Sequence, residues 1–164
     1  MKKVPLFIPS FILLLLLAAC MGVGVESFDP KVEQEKATEV INSVLTSFED
    51  QEKVAEGKTS DEANVIAWKK LKEKNIAALS KDLAKEDQKR LLYLLTLNKA
   101  EDLSNGETKS NILFTHNTEI KDVSLDQEKK IFTFDIERSG FDHKLITLDK
   151  QEDVWKIVTV QESE

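Results

Sequence analysis

Two histidines, one cysteine and a scatter of serines and carboxylates are the side chains here that could do chemistry. Asp142-His143 could orient an imidazole, and Asp135 comes close if 130–138 and 142–150 form a hairpin. Such a group could move a proton. Yet Gly140, Asp142 and Lys144 mark the polar start of a strand, where a solvated histidine is ordinary. His116 and His143 do not form an H-x-x-x-H or H-E-x-x-H pattern, and a zinc site wants a third protein ligand. The expectation is therefore no metal and no cofactor. Ser124 and Ser139 have no nearby Asp-His arrangement and no G-x-S-x-G, and five glycines supply no phosphate loop. Asp135 and Glu137 alternate with apolar residues, which turns them toward solvent. No catalytic set emerges, and the chain reads as a non-enzyme.

Other residue groups have plain structural readings. Phe114, Phe132, Phe134, Phe141 and Trp155 could line a ligand pocket, but strand-spaced aromatics more often build a core. Trp68 reads as core too. Glu49-Asp50-Gln51-Glu52-Lys53 and Lys69-Lys70-Leu71-Lys72-Glu73-Lys74 read as solvated helix faces. The net charge of -7, with 30 acidic against 23 basic residues, argues against nucleic acid as a partner. A single cysteine excludes an internal disulfide and a Cys-rich metal site.

The positioning elements begin with an unusual amino end. Lys2 and Lys3 precede an apolar stretch from Val4 to Ala19 whose uninterrupted run, Phe11 to Ala19, is too short to span a bilayer. Charge, short apolar run and small-residue end fit a secretory signal. Leu17-Ala18-Ala19-Cys20 then resembles the lipobox of bacterial lipoproteins. The resemblance implies a diacylglyceryl group on the Cys20 sulfur, removal of residues 1–19, and Cys20 as the mature first residue. Long acyl chains (palmitate among them) hold a protein on a bilayer at about 0.8 kcal/mol per buried methylene. Cys20 is then an anchor and has no free thiol. Removing residues 1–19 takes away two lysines and no acid, so -7 becomes -9. Lysine far outnumbers arginine, which points to an AT-rich genome and, with the lipobox, to a Gram-positive cell membrane, extracytoplasmic face.

Residues 20–29 read as a lipidated tether and 30–164 as one domain. Asp29 and Pro30 suit an N-cap and first helical position. Ala37, Val40, Ile41, Val44, Leu45 and Phe48 predict a helix over about 30–54. Thr59 to Glu62 reads as a capping box opening a second helix, about 60–80, with Val65, Trp68, Leu71, Ile76 and Leu79 inward. A third, about 84–103, rests on Leu91, Leu92, Leu94, Leu95 and Leu97 and stops at Asn105-Gly106. The period then falls to two. Phe132, Phe134 and Ile136 form one strand, Ile146 and Leu148 another, and Val154 to Val160 the last; a strand or strand pair lies within 111–125. Short connections imply antiparallel pairing.

The expected class is α+β, three amino-terminal helices packed on a curled antiparallel sheet of about four strands. With Asp153-Val154-Trp155-Lys156-Ile157-Val158 opening the closing strand, that order resembles the NTF2-like (cystatin-like) domain of small bacterial lipoproteins. Such folds host many activities, so the resemblance implies architecture only. The functional expectation is a membrane-anchored surface lipoprotein that presents its domain to another envelope protein or peptide. The alternative is a carrier or sensor of a small ligand, with an apolar pocket between helices and sheet.

Overall fold

The computed structural model describes residues 28–102, 108–139 and 142–163. The expected signal peptide, Cys20, the Asn105-Gly106 stop and Phe141 lie outside these residues. Asp29 accepts from the backbone N–H of Lys31 and Val32 and starts helix α1 (Pro30–Leu45). Thr59 and Glu62 close a reciprocal capping box on α2 (Ser60–Lys74). Helix α3 spans Lys85–Leu95.

The strands are β1 (Lys53–Lys58), β2 (Thr96–Asp102), β3 (Thr108–Phe114), β4 (Thr118–Asp126), β5 (Ile131–Arg138), β6 (Asp142–Gln151) and β7 (Val154–Glu162). The class is α+β as expected, with three helices. Its strands, however, form two antiparallel sheets, one of three strands ordered β1-β3-β2 and one of four ordered β4-β5-β6-β7. The first helix stops at Leu45, and part of its expected tail is β1, with Gly57 at a positive φ of 65°. The third helix stops at Leu95, and Thr96 to Asp102 pairs residue for residue with β3. Both corrections have one cause. The β-pairing partner lies in β3, out of reach of a local pattern.

The region 111–125 does hold two strands, but they belong to different sheets. Thr115, His116 and Asn117 carry the chain from β3 to β4, so this short connection does not join antiparallel neighbours. The four-stranded sheet follows its period of two. Phe132, Phe134, Ile136, Ile146, Leu148, Ile157 and Val160 are all fully buried on one side, against α1 and α3. A further parallel bridge joins Leu79 to Ile157 and covers the β7 edge.

Helix α2 departs from expectation in its facing. Ala63, Ala67 and Leu71, four apart, are its fully buried stripe. Small residues there let the helix lie close to β1 and β3. Val65 and, just past the helix, Ile76 were expected inward; both are 68% exposed. Trp68 is half-buried and Leu79 buried.

Candidate functional site

The hairpin of β5 and β6 does bring the expected pair together: His143 Nδ1 donates to Asp135 Oδ1 at 3.1 Å. Both sit on the outer, solvent-facing side of the sheet, with side chains 45% and 27% exposed. Asp142 does not join them; it faces Lys144 at 3.6 Å. This is a hydrogen bond on the water-exposed side of the sheet, with no enclosed place for a substrate. His116 is elsewhere. Its Nε2 donates to the Phe48 carbonyl and its backbone N–H donates to Asp50 Oδ1, which pins the loop after α1 to the start of β4. Among the described residues no group of three or more His, Cys, Asp or Glu could hold a metal.

The remaining side of that sheet is polar and orderly. Ser124, Thr133, Thr147 and Thr159 fall in one row across β4 to β7. Glu137 contacts Lys121, which Glu119 also holds, and this cross-strand pairing raises the Lys121 ammonium pKa.

Two buried polar constellations carry no signal in a local motif. The first is built on Glu33, in the first turn of α1 and 7% exposed. Its Oε1 accepts from Lys36 at 2.8 Å; its Oε2 accepts from the Trp155 indole at 2.9 Å and Lys150 at 3.1 Å. The Lys36 hydrogen bond, opposed by burial and helped by Lys150 and Trp155, holds the carboxyl below its usual range. Here α1 is tied to the β6–β7 hairpin. A parity argument could not reach it, because Lys150 and Trp155 lie more than a hundred residues away.

The second lies at the other end of the sheet. Arg138 and Lys144 share the inward parity of Ile136 and Ile146, and both are buried. Arg138 donates to the Tyr93 carbonyl at 2.6 Å, near the carboxyl end of α3, whose own last turn has no basic residue. It thus brings positive charge to the negative end of the helix from outside the helix. Lys144 pairs with Glu162, and both cations lie within 5.5 Å of the Tyr93 ring centroid. Strand parity alone places these two cations inward; no motif marks them. Each has its partner inside the fold, so the cluster is structural.

Hollows among the described residues include two that bear on function. One, of about 380 Å³, is an open, mostly apolar groove along α2 lined by Lys58, Asp61, Glu62, Val65 and Ile66. The other lies between α1 and β3 around the stacked rings of Phe48 and Phe114, and has no room for water. Phe114, Phe132, Phe134 and Trp155 are core, as their strand spacing predicts. No helix among the described residues is long and apolar enough to cross a membrane. The arrangement offers surfaces for contact, among them the α2 groove with exposed Val65 and half-buried Ile66. Comparison with protein families, with curated proteins and with solved structures gives no match.

Proposed function

We propose that this protein is a lipid-anchored bacterial surface lipoprotein whose α+β domain is a non-enzymatic module for contact with another protein or peptide of the envelope. The observation that carries the reading is the way the chain enters the fold. Phe28 packs on the core, with the Lys130 ammonium 5.4 Å from its ring centroid, and α1 is fastened to the β6–β7 hairpin by Glu33. Cys20 lies eight residues before Phe28, a reach of about 27 Å at ~3.4 Å per residue. An acyl group on Cys20 would keep the turn end of the sheet nearest the bilayer. The three-stranded sheet, which joins the body at the opposite end through Thr115 to Asn117, would be carried away from it.

The helix order and closing meander support an NTF2-like architecture, elaborated by the added three-stranded sheet. The carrier reading gains no support from the groove on α2, which is open along its length rather than closed between helices and sheet. The test is Cys20→Ser in the producing cell. Membrane association and removal of residues 1–19 should both be lost. Unchanged membrane association would sink the proposal.

A further inference from the structure

A strand at the edge of a sheet offers unpaired backbone N–H and C=O groups, and folds usually blunt such edges with bulges or cover. Among the described residues the edge strands are β1, β2, β4 and β7. Strand β1 has two register shifts against β3, and β4 has a shift between Ile120 and Asp122. The bridge from Leu79 to Ile157 covers β7. Strand β2 has no such device. It pairs with β3 residue for residue over 7 residues, and Asn98 to Asp102 are all exposed. The ladder also shows which backbone groups face out. The Phe114 N–H donates to the Glu52 carbonyl and its C=O accepts from Gln51, while the Thr115 N–H donates to the Leu95 carbonyl. Thr96 and Phe114 are therefore a non-hydrogen-bonded pair, and by alternation Asn98, Ala100 and Asp102 turn their backbone groups to the open edge.

The geometry points to β2 of a second copy of this chain as the occupant of that edge, antiparallel across a two-fold axis through Ala100. An isologous contact must be complementary to itself. With the axis there, Asn98 exchanges backbone hydrogen bonds with Asp102 and Ala100 with its own counterpart, so the outward groups of both strands meet. The charged side chains of β2 are Lys99, Glu101 and Asp102. Lys99 of each copy stands opposite Glu101 of the other. Lys109 lies across from Glu101 within one copy, so charge alternates along the row Lys109, Glu101, Lys99. Neither Lys99 nor Glu101 has an ion-pair partner within 4 Å among the described residues. On the other side of the sheet Asp102, which accepts from Thr108, meets the Asn98 amide. Moving the axis to Lys99 or to Glu101 would instead set like charges directly against each other. The strand spans about 23 Å, and its edge alone falls well short of the ~800 Å² per partner of a standard interface. It is a weak pairing, strengthened when copies are confined at one surface. That strengthening rests on the lipid-anchor reading; the pairing itself does not.

The test uses the full chain in detergent micelles with Cys20→Ser throughout, so that an introduced cysteine is the only thiol. Under mild oxidation Ala100→Cys should give a disulfide-linked dimer, since facing Cα atoms of such a pair lie about 5.5 Å apart, within disulfide reach. Asn98→Cys, on the same strand and the same side, should not, because its two copies lie ~13 Å apart along the strands in this register. In the Ala100→Cys chain, adding Lys99→Glu should lower the dimer yield about fivefold, and adding Glu101→Lys as well should restore it. A loss of fold stability predicts the opposite order, because the double exchange sets a lysine at position 101 against Lys109. No dimer from Ala100→Cys, equal yields at positions 98 and 100, or a double exchange no better than Lys99→Glu alone would overturn the pairing. So would an Ala100→Cys chain that crosslinks in cells to a different protein and not to itself, which would give the edge to a foreign strand.

Discussion

Glu33 is a carboxylate held almost out of water by an indole and two ammonium groups, and its worth depends on keeping its charge. Replacing it with Gln leaves Lys150 beside a neutral group and should cost about 2 kcal/mol in urea unfolding at neutral pH. Trp155→Phe keeps the ring against Phe132 but removes one donor, and should cost about 1 kcal/mol. The folded carboxyl titrates below its ordinary value of 4.5. On acidification the unfolded chain therefore takes up the proton first, so the stabilisation is complete above about pH 4.5 and is lost as pH falls through the lower folded value. The gap between the wild type and Glu33→Gln should accordingly close in acid; a gap constant from pH 7 to pH 3 would contradict this account. None of it was legible in the sequence. Glu33 looks like an ordinary acid in a first helical turn, and only the chain's return at Lys150 and Trp155 makes it a buried hub. Asp135, by contrast, faces outward as strand parity predicts, and His143 is solvated as the polar start of its strand predicts.

The elements were read best where local pattern and environment agree. Strands β5 to β7 alternate because one side of their sheet is packed and the other wet, so a period of two survives in the sequence. Thr59 and Glu62 form the capping box that their spacing suggests, and Thr59→Ala should lower stability by about 1 kcal/mol in a urea melt. Strands β1 and β2 were invisible for a physical reason. Lys53 to Lys58 is short and polar, and Thr96 to Asp102 follows α3 without a breaker; both are extended because β3 pairs with them from either side. The facing of α2 misled because valine and isoleucine were assumed to point inward, whereas alanine occupies the close approach. At the β6–β7 turn, Glu152 and Asp153 both have positive φ, near 51° and 62°, between paired Gln151 and Val154. Gly, Asn and Asp tolerate that region best, so Glu152 is the more strained of the two, and Gly would relieve the second position. Glu152→Asn with Asp153→Gly should therefore raise stability by about 1 kcal/mol, read as a higher urea midpoint with an unchanged slope.

On the proposed reading, the whole molecule would have an anchored end where the chain enters and a contact surface away from it. Glu33 and Phe28 fix where the chain enters, and Glu33 fastens α1 to the β6–β7 hairpin. The outward face of α2 lies on the far side of that helix from its buried stripe and is exposed at Val65. With a formal charge of -9 after residues 1–19 are removed, the remaining chain would be repelled by an anionic lipid surface, and only an acyl group would hold it there. The class and the antiparallel meander could be read from periodicity. The division into two sheets could not, since it turns on a three-residue crossing from β3 to β4. The central claim is the anchor at Cys20, and mass spectrometry of the mature amino-terminal peptide tests it most directly. The account predicts a peptide that begins at Cys20 and carries diacylglycerol on its sulfur. An intact Ala19–Cys20 bond with an unmodified thiol would contradict it.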